Sequence, residues 1–209
     1  MAIAIHGGYW RARYSRRIQK PVATDLIRRG VAVWNIEYRR LGNGGGWPAT
    51  FDDVGAAIDL LAGLDDPRLD LGLVTVFGHS AGGQLALWAA ARTNSRVRIA
   101  RVCAQAGVCN LASAGSAAHE LLGGGPDEVP ERYRQADPMQ LVPLGIPILL
   151  VHGAEDATVP VKRSRRFAEA ARAAGDDVTL IEPNPGGHRT HVDPRTEAWE
   201  IAASWIASA

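Results

Sequence analysis

The sequence predicts an α/β protein built on one parallel sheet with helices on both faces. Two observations predict it. Short apolar runs alternate with segments of helical apolar spacing along the whole chain. The runs are nearly continuous, as expected of strands covered on both sides. A third observation fits the same architecture. The residues that could carry chemistry fall where apolar runs end, the rim at which ligands bind in such sheets.

Taken in order, Ile3-Ala4-Ile5 is the first strand, and His6-Gly7-Gly8-Tyr9-Trp10 is the loop after it. Adjacent glycines let this loop turn its N–H groups toward one point. Arg11 to Lys20 is basic and reads as a solvated loop with the first turn of a helix. Pro21 to Arg29 is helical, with Val22, Ala23, Leu26 and Ile27 at helical spacing, and Gly30 closes it. Val31 to Ile36 is the next strand. Gly42 to Gly46 is a flexible loop ended by Trp47-Pro48. Phe51 to Leu64 is a helix with Val54, Ala57, Ile58 and Leu61 on one face. Asp52 and Asp53 lie near its start, where the helix dipole favours carboxylates.

Leu73 to Phe77 is a β-branched strand, and Gln84 to Ala91 is a helix. Arg98 to Ala104 is a further strand. Gln105 to Pro143 has no long periodic pattern, and a stretch of that length is expected to carry short helices over the site. Pro147 to Val151 is a strand, Lys162 to Ala174 a helix ended by Gly175, and Val178 to Ile181 the last strand. Thr196 to Ala207 closes the chain as a helix, with Trp199, Ala202, Ala203 and Ile206 at helical spacing.

A length of 209 residues suits one sizeable core, so a single domain over 1–209 is expected, with a small lid-like insertion around 105–143. A net charge of +1 supplies no field for nucleic acid. No apolar run reaches the length of a membrane span, and Met1 to Ile5 is too short for a signal peptide. A cytoplasmic location is therefore expected, with Cys103 and Cys109 reduced and buried. No nucleic acid, membrane, metal or cofactor is expected as a partner.

Between the Leu73–Phe77 strand and the following helix sits Gly78-His79-Ser80-Ala81-Gly82, a G-x-S-x-G with no loop to spare. A strand that turns so sharply into a helix holds the serine hydroxyl out above the sheet in strained geometry. Serine is a poor nucleophile at neutral pH and needs a base, which in turn needs a carboxylate. The loop after the Ile148–Val151 strand offers Asp156, with Glu155 beside it. The loop after the last strand offers His188 behind a Gly-Gly pair, with His191 as its competitor. His79 is expected to pack in the turn. An oxyanion would need the N–H of Ala81 and a second donor from Gly8 or Tyr9. Tyr9, Trp10 and Trp47 are candidates to line an acyl or aromatic pocket, and Trp47 suits the core as well.

Taken together, these residues resemble an α/β-hydrolase of the esterase/lipase type. His6 to Trp10 with Gly78 to Gly83 resembles the kynurenine formamidase-like (arylformamidase-like) group. The run His152 to Pro160 and the Gly187-His188 pair match the acid and base loops of the wider family. The resemblance implies Ser80, Asp156 and His188 in the chain order of that family. It implies a serine hydrolase of small esters or N-formyl amides, acting through an acyl-enzyme without metal or cofactor. The same group resembles carbohydrate-ester esterases and, more distantly, prolyl oligopeptidase-type serine peptidases. A peptidase and a non-catalytic binding protein of this fold are the alternatives.

There are two departures from the family. Relatives usually have about two strands before the His-Gly-Gly strand, and here those N-terminal strands are missing. The strand order expected by family numbering is 4-3-5-6-7-8, all parallel. This leaves Val31–Ile36 as an open edge, to be covered by a second copy in a homodimer or by residues upstream. The other departure is Arg189-Thr190, where the family often has an aromatic residue after the histidine.

Overall fold

The computed structural model describes residues 1–184 and 186–208. Six strands form one sheet: β1 (Ala2–Ile5), β2 (Val33–Ile36), β3 (Val74–His79), β4 (Ile99–Gln105), β5 (Ile148–Val151) and β6 (Val178–Ile181). They lie in the order β2-β1-β3-β4-β5-β6, and every pairing is parallel. This is the expected 4-3-5-6-7-8 order, with β2 at the edge.

Side chains alternate across each strand, so each strand feeds two cores. Ala2 and Ala4 face one side with Phe77, Cys103, Leu149 and Val151. Helices α1 (Lys20–Arg28) and α7 (Glu197–Ala207) cover that side through Val22, Leu26, Trp199 and Ala203. Ile3, Ile5, Val74 and Val76 face the other side. There they meet α2 (Ala49–Asp59), α3 (Ala81–Ala90) and α6 (Lys162–Ala173). Helix α3 is buried on nearly all sides, and its sequence is correspondingly apolar around the full turn.

The stretch after β4 carries α4 (Ser116–Leu122), α5 (Pro130–Ala136) and a short 3-10 turn at Pro138–Gln140. Gln84 of α3 ties this stretch down by donating its Nε2–H to the Ala136 carbonyl at 2.9 Å.

Several boundaries differ from the sequence-based expectation. The helix expected from Phe51 to Leu64 starts at Ala49 and gives way to a 3-10 turn at Leu60–Gly63. Helix α3 starts at Ala81, not Gln84, because its N-terminal glycines are admitted by the packing around them. Ile27, expected on the inner face of α1, is 59% exposed; Val22, Ala23 and Leu26 are the buried residues of that helix. No helix is long and apolar enough to cross a membrane among the described residues.

The turn from β3 to α3 depends on the absence of side chains. A Cβ at Gly82 would collide with the carbonyl oxygen of Ile5, and one at Gly78 with the carbonyl of Gly82. Strand β1 and helix α3 are thereby in backbone contact. Gly82→Ala is expected to cost about 3 kcal/mol of stability, read from the urea midpoint. Gly63→Ala, where nothing lies within 4 Å of the added methyl, should stay within about 0.5 kcal/mol of the parent.

Candidate active site

Ser80 sits at φ 57°, ψ −119°, a conformation that a non-glycine residue adopts only under constraint. The constraint is a set of backbone hydrogen bonds. The Ser80 N–H donates to the Gln105 carbonyl at 2.8 Å, and the Ser80 carbonyl accepts from Gly83 at 2.9 Å. The hydroxyl therefore stands at the carboxyl end of β3, and 4% of the residue is exposed.

The acid and base loops approach from β5 and β6. A Cβ on Gly153 would collide with the Gly186 carbonyl oxygen, so the two loops touch backbone to backbone. Glu155 N–H donates to Gly186 O at 3.1 Å, and Ala154 N–H to Pro183 O at 3.1 Å. The contact brings three side chains into line. Ser80 Oγ donates to His188 Nε2 at 3.0 Å, and His188 Nδ1 donates to Asp156 Oδ2 at 2.7 Å.

Asp156 is held from several directions. Its Oδ1 accepts from the N–H groups of Thr158 at 2.8 Å and Val159 at 2.9 Å. His152 Nε2 lies 3.3 Å from Oδ2 and 2.8 Å from the Val159 carbonyl. Burial opposes ionisation of Asp156, but the hydrogen bonds from His152, His188 and Val159 outweigh it and hold the carboxyl well below its usual range. His152 is fixed in turn, because its Nδ1 accepts from Ser164 Oγ at 2.7 Å. The Cys109 thiol lies 3.8 Å behind Ser164, and Cys109 and Cys103 are both free and buried.

The loop after β1 faces Ser80 from the opposite side. Gly8, Tyr9 and Trp10 have φ of 115°, 54° and 54°. His6 anchors the loop by stacking on Tyr38 at 4.4 Å and bonding Glu37 Oε1 through Nε2 at 2.7 Å. The Tyr38 hydroxyl donates to the His6 carbonyl at 2.7 Å. The N–H groups of Tyr9 and Ala81 have no acceptor among the described residues.

Two cavities flank the hydroxyl. One of about 280 Å³ is lined by Gly7, Tyr9, Tyr14, His79, His188 and Arg189, among others. A second, of about 80 Å³, is lined by Tyr9, Trp10, Ala81, Val108, Val159 and Arg163, among others.

A family model described as BD-FAE matches residues 1–171. The chain belongs to the BD-FAE family. It is similar to Esterase LipQ of Mycobacterium tuberculosis (strain ATCC 25618 / H37Rv), with 28% identity over 207 residues, covering 89% of this chain and 49% of that protein. The chain thus spans about half the length of the curated relative it matches. Among solved structures it is similar to a truncated carbohydrate esterase from gut microbiota, with TM-score 0.88, 22% identity, and coverage of 99% of this chain and 84% of that one. An acetyl ester-xyloside bifunctional hydrolase from Caldicellulosiruptor lactoaceticus gives TM-score 0.80 and 24% identity over 99% of this chain and 82% of that one. At such identities the likeness speaks for the fold, that of the α/β-hydrolases.

In this BD-FAE member Ser80, Asp156 and His188 meet, and their competitors do not. Glu155 is exposed. His191 is buried and makes no hydrogen bond through its ring among the described residues. It lies 5.9 Å from the ring of His79, which donates Nε2–H to the His188 carbonyl at 2.7 Å. His79 therefore packs in the turn, as expected, and also supports the His188 loop. Tyr9 and Trp10 line the smaller cavity, but Trp10 is 1% exposed and donates its indole N–H to Gln84 Oε1 at 3.2 Å. Trp47 lines neither cavity. It packs on Phe51 at 5.0 Å, partly buried against the core beside α2, which is the apolar burial that draws the ring there.

Three contributors escaped the sequence reading. His152 stood in the acid-loop run without a role, although a histidine at the end of a buried strand is a signal for a buried partner. Thr158 walls both cavities, and Arg163 lines the smaller one.

Removing the imidazole with His152→Leu leaves Val159 O, Ser164 and Asp156 each short of a partner. The expected loss is about 2 kcal/mol in chemical denaturation. Burial, with repulsion from His152 and His188, pushes His191 from 6.5 down to about 3. The folded chain then binds fewer protons than the unfolded chain between those values. Stability is full above pH 6.5 and drains as pH falls toward 3, by up to about 1.4 kcal/mol per pH unit for this one group. Melting temperatures across that range should fall with acid, and less steeply in His191→Gln.

Proposed function

We propose that this chain is a serine hydrolase of small carboxylic esters, with N-formyl amides as a second substrate class. The observation that carries the reading is the continuous line from Ser80 Oγ through His188 to Asp156, at 3.0 and 2.7 Å. Ser80 attacks the acyl carbon as His188 Nε2 takes its proton. The negative charge of Asp156 keeps the imidazole in the tautomer that accepts from serine, and stabilises the imidazolium once formed. The unpaired N–H groups of Ala81 and Tyr9 stabilise the oxyanion; Gly8 supplies the backbone freedom that aims the latter. His188 then gives its proton to the departing oxygen or nitrogen, and water repeats the cycle to free the acid.

The names of its relatives point the same way: an esterase, a carbohydrate esterase and an acetyl ester hydrolase. The amide part of the reading rests on the likeness of His6 to Trp10 to the kynurenine formamidase-like group. A formyl carbon is the smallest acyl group and needs little of the 80 Å³ cavity. A peptidase or a non-catalytic binder has no comparable observation in its favour.

Ser80→Ala should lower turnover of p-nitrophenyl acetate on the order of 10⁴-fold or more, and abolish labelling by a fluorophosphonate probe. Unchanged turnover would remove Ser80 as the nucleophile. A panel of short acyl esters beside N-formylkynurenine divides the two substrate classes.

A further inference from the structure

The two cavities beside Ser80 divide the substrate between them, given the serine-hydrolase reading on which this inference rests. His188 lines the larger cavity and not the smaller. The group that receives the proton from His188 must lie against it, so the leaving group belongs in the larger. Ala81 lines the smaller cavity and not the larger. The acyl oxygen must face the Ala81 N–H, and with the leaving group in the larger cavity the smaller one is left for the acyl chain.

The smaller cavity is mostly apolar, walled by Trp10, Val108, Ala114, Ala117 and Val159, yet Arg163 lines it too. Arg163, in the first turn of α6, is half-buried. Its Nη2 donates to the Ser113 carbonyl at 2.9 Å, and among the described residues it forms no ion pair. No Asp or Glu lines either cavity. Half-buried Arg132 likewise donates to a carbonyl, that of Leu122, but it lines neither cavity, and three other arginines withdrawn from water are engaged. Arg40 holds Glu37 and Arg92 holds Asp59, each at 2.7 Å, and Arg101 lies over the Trp205 ring at 3.9 Å. Arg163 has a neutral carbonyl and an adjoining space. A guanidinium carries five N–H donors in a planar fork that matches a carboxylate. Burial lowers the pKa of Arg163, opposed only by a smaller contribution from the Cys109 thiol, with no carboxylate beside it.

We propose that Arg163 is a specificity residue that receives the far carboxylate of a short dicarboxylic half-acyl group, so that half-esters of about malonate size are preferred substrates. The chemistry is that of any ester. The Ser80 Oγ–acyl carbon bond forms, the ester C–O bond breaks, and the serine proton leaves on the alcohol by way of His188. Water then releases the diacid, and the far carboxylate is unchanged throughout.

The test compares monoethyl malonate with ethyl isovalerate, its neutral isostere, by proton release in a pH-stat. The ratio of their kcat/KM values should drop tenfold or more in Arg163→Met, with Arg163→Lys between. Using a ratio cancels any general loss of folded enzyme. An unchanged ratio overturns the proposal. Binding of monoethyl malonate to Ser80→Ala protein by calorimetry needs no chemistry, and should weaken tenfold or more when Arg163→Met is added. If binding depends on Arg163 but the parent turns over neither ester, the hydrolase reading fails and the carboxylate site stands. If p-nitrophenyl acetate is cleaved but binding ignores Arg163, the carboxylate site fails alone.

Discussion

The close approach of strand β1 to helix α3 is the constraint from which the rest follows. Backbone meets backbone at Ile5 and Gly82, and no side chain fits between them. Helix α3 can therefore begin one residue after the strand ends. That one residue is Ser80, forced to a positive φ and braced by Gln105 and Gly83. A strain of about 1–3 kcal/mol is tolerable only where the surroundings over-determine the conformation. Here the two apolar cores on either side of the sheet do so. The hydroxyl is aimed by the packing of the whole domain, not by its own rotamer preference.

Around that fixed point the electrostatics are arranged by burial and partners. One carboxylate, Asp156, stays ionised because three hydrogen-bond donors outweigh its desolvation. Two histidines, His79 and His191, are buried without an acidic contact, and their pKa values are pushed down by burial and by neighbouring rings. Among the described residues the His188 ring is the one within hydrogen-bond distance of Ser80 Oγ.

Much of this was legible in the sequence, for physical reasons. The parallel sheet covered on both faces follows from the alternation of apolar runs and helical segments, whereas its strand order came from the resemblance to the α/β-hydrolases. Val178 to Ile181 matched its strand to the residue. Helix ends were less legible: α3 begins in Ala81-Gly82-Gly83, residues that read as turn until their neighbours are known. The same holds for the site. Ser80, Asp156 and His188 lie at strand ends and were readable as such. His152 and Arg163 were not, because their significance lies in what they fail to meet or hold across the fold. Trp47 was left open between pocket and core because aromatic character alone does not say which neighbours a ring will pack on; it packs on Phe51.

The contact between Gly153 and Gly186 has a consequence for how this scaffold can change. The acid and base loops are keyed to each other through main-chain atoms, with no side chain available to absorb a misfit. Neither loop could be exchanged singly with that of a cousin, or lengthened by a residue, without prising its mate out of register. The two behave as a single inheritable part, whereas the walls of the flanking cavities, built from side chains on separate helices, are free to drift and so to redirect what the same chemistry acts upon.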